Sequence, residues 1–328
     1  MAHKSTLGID VAKDSLVIFN TATKQHRSIN NTEEGLRTFI TEHQIKPDEH
    51  QVGLESTGDY SLLTIRVFVE LGFDVYLLNP ILTQNAIKRT IRGVKTDATD
   101  SELIAELVLK GEGQKISEKS LNLEKKALIR VERKISQMQA DLKRIAKGLE
   151  LKQSSGVAVG SAAGIVSELL EHFKVSEIQL WDEIAGQKTF LAKQESIISS
   201  HVGCGVKLSA IISEEAGDIK RFESARQLIA YAGIDPKVIQ SGNADNRGKM
   251  TKRGNSNLRH ALYLASYIAT RFDPELRAYY EKKRTEGKHH TVAVCAVARK
   301  MCERIYSTVT HNRMYEKRNI IKEQDIAA

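Results

Sequence analysis

An α/β domain on a mixed sheet, followed by a largely helical remainder, is the fold class this sequence predicts. Three observations predict it. In the first 80 residues, short apolar runs bounded by turn residues give three strands, then helix, strand, helix and strand. From 121 to 149, apolar residues recur every seven positions, with a second line offset by three. Beyond 200, helical spacing dominates, interrupted by one basic, glycine-containing stretch.

The front elements follow in order. Ser5–Asp10 and Ser15–Asn20 read as strands joined by a hairpin, with a third over Gln25–Ile29. Asn31, three residues before Glu34, reads as the N-cap of a helix carrying Leu36, Phe39 and Ile40. Val52–Glu55 is a short strand, Tyr60–Leu71 a helix and Asp74–Leu78 a strand, and Pro80 opens another helix. A helix follows from Asp97, with Leu103, Ile104 and Leu107 on its apolar side.

Gly111–Gly113 breaks this pattern. Leu121, Leu128, Ile135, Leu142 and Leu149, with Val131, Met138 and Ile145, then form a seam that predicts a coiled coil, either between chains or as a hairpin. A turn at 153–164, a short helix over Ile165–Phe173 and a longer one over Trp181–Ile198 complete the middle. In the back part, His201–Lys207, leading into a helix over Leu208–Ala216, reads as half of a helix-hairpin-helix whose glycines let backbone approach phosphate, with a simple interhelical turn as the alternative. Helices over Phe222–Ala232, Leu258–Arg271, Glu275–Glu286 and Thr291–Tyr306 follow. The expected division is 1–112, 113–199 and 200–328.

With 328 residues, 41% of them hydrophobic, the chain has the material for real cores. No apolar run approaches the ~18 residues of a membrane span, and Cys204, Cys295 and Cys302 form neither a disulfide framework nor a zinc knuckle. An intracellular, cytoplasmic protein is expected. Net charge is −3 over residues 1–110 and +11 over the rest, which points to a polyanionic partner for the back part.

The chemistry lies in two places. Asp10 and Glu55 each end an apolar strand, where ligands gather in α/β sheets, and Asp97 and Asp100 stand three apart on one helix face. Such oxygen ligands suit Mg²⁺ or Mn²⁺; helix capping, with Thr99 and Glu102 as a capping box, is the alternative for the last two. The second place is the basic stretch with Lys237, Arg247, Lys249, Lys252, Arg253 and Arg259, opposed only by Asp245. It reads as a loop that holds nucleic-acid backbone, with Asn255 or Asn257 capping the next helix.

These blocks carry a resemblance. Gly8–Lys13, Leu54-Glu55-Ser56-Thr57-Gly58, Lys95–Asp100, Ser241-Gly242 and Lys252–Arg259 together resemble the serine-containing DEDD transposases of bacterial insertion sequences. The resemblance implies a ribonuclease-H-like, RuvC-like front domain whose Asp10, Glu55, Asp97 and Asp100 bind Mg²⁺ (or Mn²⁺). It implies Ser241 as the nucleophile that forms a covalent phosphoserine link to DNA. It implies donor and target DNA and a noncoding bridge RNA as partners, and a homo-oligomer, dimer or tetramer, assembled through the coiled coil. The distance in sequence between these acids and Ser241, with the coiled coil between them, suggests that one subunit's acids meet another subunit's serine. A hydrolytic Holliday-junction resolvase and a non-catalytic nucleic-acid-binding regulator are the competing readings.

Overall fold

The computed structural model describes residues 4–55, 59–78, 83, 97–116, 123–187, 189–241, 244–250 and 254–317, with the backbone alone described at 123, 236–241 and 244–249. Two compact units form, Met1–Leu121 and Asn122–Ala328.

In the first unit β1 (Ser5–Val11), β2 (Ser15–Asn20), β3 (Gln25–Asn30), β4 (His50–Glu55), β5 (Asp74–Leu78) and β6 (Gln114–Ile116) build one sheet in the order β3-β2-β1-β4-β5-β6. β1 is antiparallel to β2 and parallel to β4, β4 is parallel to β5, and β6 closes antiparallel on β5. Leu7, Ile9, Val52, Leu54 and Val75 pack with Leu36 and Phe39 of α1 (Glu33–Glu42) and Ile65 and Phe68 of α2 (Leu62–Glu70). Because side chains alternate along a strand, Gly8, Gly53, Tyr76 and Leu78 face the other way. That face is covered by α3 (Asp97–Leu109), whose Ile104 and Val108 cluster with Leu78.

Two glycines set how closely α3 lies. A Cβ on Gly8 would stand 2.0 Å from the Ser101 carbonyl oxygen and 2.6 Å from the Ala105 nitrogen, and one on Gly53 would stand 2.6 Å from Val108 Cγ2. The helix therefore rests on backbone at β1 and on methyl groups at β4.

Three local expectations need correction. Thr32, not Asn31, caps α1 by accepting from the Gly35 amide at 3.1 Å; Asn31 instead donates to the Ala12 and Tyr60 carbonyls. α3 begins at Asp97, so Thr99 sits inside the first turn and not at the N-cap that a Thr99–Glu102 capping box requires. β6 was unforeseen, since three residues carry no usable alternation; antiparallel backbone pairing with β5 forms it, and Lys115 adds an ion pair with Asp74 of β5 at 2.6 Å. The helix expected from Pro80 lies outside the described residues.

In the second unit α4 (Leu123–Ser154) and α5 (Gly160–Gly186) fold back on each other as an antiparallel hairpin. Ile129 meets Ile184, and Trp181 Nε1 donates to Glu132 Oε1 at 3.0 Å. The two heptad lines separate here: Leu128, Ile135, Leu142 and Leu149 are half-buried, while Val131, Met138 and Ile145 are 50%, 50% and 51% exposed. α5 runs unbroken across the gap expected between Phe173 and Trp181, because no glycine or proline occurs there; it stops at Gly186.

The rest of this unit packs α6 (Ala192–Ser199), α7 (Val206–Ala216), α8 (Ala225–Ala232), α9 (Ser256–Phe272), α10 (Pro274–Thr285) and α11 (His290–Thr310) around Ile198, Ile212, Leu228, Leu262, Val297 and Met301. Gly203, at φ +93°, approaches α9 so closely that a Cβ would lie 2.2 Å from the Ala265 carbonyl oxygen. Packing on α9 thus accounts for that glycine. All three cysteines are free thiols.

One buried histidine is expected to make this unit acid-sensitive. His201 is 4% exposed, bonds Thr308 Oγ1 at 2.9 Å and stacks on Tyr315 at 4.5 Å. Burial, then the Arg304 charge, pushes its pKa down to about 4, with Asp273 opposing. An unfolded chain takes up that proton near pH 6.5, so folding stability declines as pH falls from there to about 4. The expected loss is about 3 kcal/mol. His201→Gln keeps a hydrogen-bonding group without titrating. Urea unfolding at pH 7.5 and 4.5 should show a smaller pH effect in the variant; an equal effect in both proteins would refute this.

Candidate active site

The parallel pairing of β1 with β4 builds half of the acidic site. Gly8 pairs with Gly53 and Ile9 with Leu54, so the next step along both strands brings Asp10 beside Glu55 at their carboxyl ends. Each acid lies two residues beyond a glycine that touches α3, so both share the α3 face. Both are half-buried. The same helix supplies the other two acids from its first turn, Asp97 exposed and Asp100 half-buried. β3 steadies that end of the helix, where His26 Nε2 bonds the Ala98 carbonyl at 3.1 Å.

Carboxylate oxygens are the donors that hard divalent cations take, and by donor type and strand position these four fit such an ion. Among the described residues, no three His, Cys, Asp or Glu side chains stand together as a finished cage. The sheet pairs Asp10 with Glu55, and α3 contributes Asp97 and Asp100 as a second pair.

The basic stretch is not a loop. Pro236–Ser241 (β7) and Ala244–Met250 (β8) form an antiparallel ribbon. Ser241 pairs with Ala244 at its far end and Pro236 with Met250 at its base, with an irregularity between Pro236 and Val238. The β-branched Val238-Ile239 pair was the available strand signal, masked by the glycines and charges around it. Lys237 lies on β7, and Arg247 and Lys249 on β8, all known here by backbone position; Lys252 and Arg253 lie outside the described residues.

Where the ribbon joins the helical core, the sequence block Gly254–Arg259 acts as a clasp. Gly254, at φ +139°, lies so near α8's end that a Cβ would be 2.4 Å from the Tyr231 carbonyl oxygen and 2.8 Å from the Gly233 nitrogen. Asn255 caps α9, accepting from the amides of Asn257 at 2.9 Å and Leu258 at 3.0 Å. Arg259 donates to the Ala232 carbonyl at 3.0 Å, and burial, then the charge of Arg133, lowers its pKa. Part of this predicted phosphate contact is therefore spent in holding the end of α8.

The sequence reading missed Glu215. This fully buried carboxylate, on the last turn of α7, accepts from Asn257 Nδ2 at 2.7 Å, Asn255 Nδ2 at 2.8 Å and Arg130 Nε of α4 at 3.1 Å. Burial acts to raise its pKa, but the Arg130 bond, the Lys126 charge and the Asn255 amide together hold it below the ordinary range. Two adjacent acids, Glu214-Glu215, at the end of an apolar helix were the signal available.

A model of the transposases of the IS116/IS110/IS902 family matches residues 195–281. A second model, of the DEDD transposases of the IS110 type, matches residues 7–152. The chain belongs to the IS116/IS110/IS902 transposase family. The DEDD match spans Asp10, Glu55, Asp97 and Asp100, and the other spans Ser241, Glu215 and the basic clasp of this transposase-family chain.

Individual relatives agree with that placement. The chain is 32% identical over 157 residues to an uncharacterized 42 kDa protein of insertion element IS900 from Mycobacterium paratuberculosis, covering 47% of this chain and 39% of that one. It is 30% identical over 122 residues to an uncharacterized 43.6 kDa protein of insertion element IS110 from Streptomyces coelicolor, covering 37% and 30%. These matches therefore span less than half the length of either relative. A pilin gene-inverting protein from Moraxella bovis is 24% identical over 327 residues, covering 96% of this transposase-family chain and 98% of its own. No described helix is long and apolar enough to cross a membrane.

Proposed function

We propose that this chain is a DNA transposase or recombinase that cuts and rejoins strands through Ser241, with the four acids binding a divalent cation. The observation that supports the reading is the placement of two strand-end acids, and of an acid pair on the covering helix, on one side of a mixed sheet. That sheet, with its strand order and covering helices, agrees with a ribonuclease-H-like front domain. Family membership and a full-length relative named for inverting a pilin gene support strand exchange as the outcome.

In this reading the Ser241 hydroxyl gives up its proton and its Oγ attacks a DNA phosphorus. One P–O bond forms, one P–O bond to a neighbouring sugar breaks, and a free hydroxyl leaves while the protein keeps the strand as a phosphoserine. Mg²⁺ or Mn²⁺, held by Asp10, Glu55, Asp97 and Asp100, supplies Lewis acidity and neutralises phosphate charge when bound. Lys237, Arg247, Lys249, Lys252 and Arg253 hold the phosphate backbone, with Arg259 contributing what its bond to Ala232 leaves free. The charge of the back part, +11, suits donor and target DNA and an element-encoded bridge RNA alike. The exposed line Val131–Met138–Ile145 offers α4 as the surface through which copies associate.

Incubating the chain and its copurifying RNA with DNA bearing the element ends, followed by denaturing electrophoresis, tests the nucleophile. The expected result is a protein–DNA adduct that needs divalent metal and disappears in Ser241→Ala. An adduct that survives that substitution removes Ser241 from the mechanism. Cleavage without any adduct favours a hydrolytic junction resolvase, and no metal-dependent activity favours a binding regulator.

A further inference from the structure

We infer that Glu215 is a positioning residue that fixes the base of the ribbon bearing Ser241 and ties it to the long α4–α5 hairpin. The catalytic importance of this assignment rests on the serine reading above, whereas the mechanical part does not.

A two-stranded ribbon alone holds its shape poorly in water, so its aim depends on its base. Both legs of this ribbon return to one spot. The first leg leaves α8 through Gly233, and Gly254, beyond the second leg, lies against the Gly233 nitrogen and the Tyr231 carbonyl. The Asn255 amide then donates to that same Tyr231 carbonyl at 2.8 Å. Glu215 locks this junction from below. Its Oε2 accepts from Asn255 Nδ2, which orients the Asn255 side chain so that Oδ1 meets the α9 amides. Its Oε1 accepts from Asn257 and from Arg130, so the carboxylate joins the ribbon's base to α4. A carboxylate with no exposed surface touches no DNA, so its influence has to pass through these partners.

The polarity of the Glu215–Asn255 bond gives a reversible test. Glu215→Gln can keep its oxygen toward Asn257 and Arg130, but then turns an NH₂ group on the NH₂ of Asn255. Asn255→Asp still caps α9 but sets a carboxylate against Glu215. Combining the two substitutions restores this one donor–acceptor pair in the opposite sense but neither the Arg130 Nη2 bond to Oε2 at 3.4 Å nor the Asn255 Nδ2 bond to the Glu215 carbonyl at 3.3 Å, so partial recovery is the expected result.

Each single variant is expected to slow adduct formation roughly tenfold to a hundredfold, since misplacement by about 1 Å costs that much. Nucleic-acid affinity should stay within about twofold. Amide hydrogen exchange across 236–250 should speed up in each single variant and return toward the native rate in the double variant, as should adduct formation. Exchange in the singles equal to that of the native chain overturns the inference. So does a well-folded double variant that recovers neither exchange nor chemistry. If the native chain makes no serine adduct the serine reading fails, and the exchange rates still decide whether Glu215 holds the ribbon.

Discussion

Gly8→Ala is expected to unseat α3 and to remove metal-dependent cleavage along with it. The added Cβ meets main-chain atoms, the Ser101 carbonyl at 2.0 Å and the Ala105 nitrogen at 2.6 Å, and neither can rotate away. β1 is hydrogen-bonded to β2 on one side and β4 on the other, so the strand cannot retreat; the helix has to lift. Overpacking of this kind costs about 3 kcal/mol or more. For a unit of this size that is a fall of roughly 10 °C in the unfolding midpoint. Gly53→Ala is the informative comparison. Its Cβ meets Val108 Cγ2 at 2.6 Å and Ile104 Cγ2 at 3.2 Å, side-chain methyls that can turn aside. Its cost should be nearer about 1 kcal/mol, with cleavage largely kept. The two alanines, introduced at paired positions one strand apart, separate backbone contact from side-chain contact. Scanning calorimetry and a cleavage assay in magnesium read both effects, and equal midpoints for the two variants would show that α3 does not rest on Gly8.

Much of the first unit was legible because its strands carry unbroken apolar runs. Leu7-Gly8-Ile9 and Leu16–Phe19 are too short for a helix and are bounded by polar turn residues, which favours strand, and the order of elements then points to a mixed sheet. β6 was hidden because edge pairing, not side-chain pattern, forms it. In the middle, the seven-residue repeat showed a seam, but it could not say whether the partner was α5 or another chain. In the fold Leu128, Ile135, Leu142 and Leu149 are half-buried and Val131, Met138 and Ile145 exposed, which leaves the coiled coil itself a proposal.

The candidate site divides the same way. Asp10 and Glu55 are candidates by their place at strand ends, and pairing across β1 and β4 makes them neighbours without any further sequence signal. The ribbon under Ser241 was read as a loop because glycine and lysine weigh against strand, whereas two short strands can form once both ends are clasped. Glu215 had no legible role. Its function depends on Arg130, 85 residues earlier, and on Asn255 and Asn257, about 40 residues later. A buried carboxylate announces itself in sequence only when its partners do, and these lie on two distant elements, α4 and the start of α9.

Asp10→Asn is expected to abolish metal-dependent strand cleavage, by at least about a hundredfold, while nucleic-acid binding stays within about twofold. The amide keeps the shape of the carboxylate and one oxygen, so β1 and its neighbours stay in place; what goes is the charge that makes this end of the sheet attractive to a cation. The clean readout is therefore stability as well as rate. A cation that binds only the folded chain raises the unfolding free energy by about 2.7 kcal/mol at a hundred times its dissociation constant. The native first unit should gain that increment in magnesium and Asp10→Asn should not. Asp97→Asn should lose the same response, with one difference. Asp97 is exposed in the first turn of α3, where a negative charge also favours the helix by about 0.5 kcal/mol, so this variant should unfold slightly earlier even without metal. Mixed results sort the roles. A lost metal response at both positions joins the strand acid and the helix acid in one site, whereas a lowered metal-free midpoint at Asp97 with the full magnesium increment retained would reduce that residue to a favourable charge at a helix end.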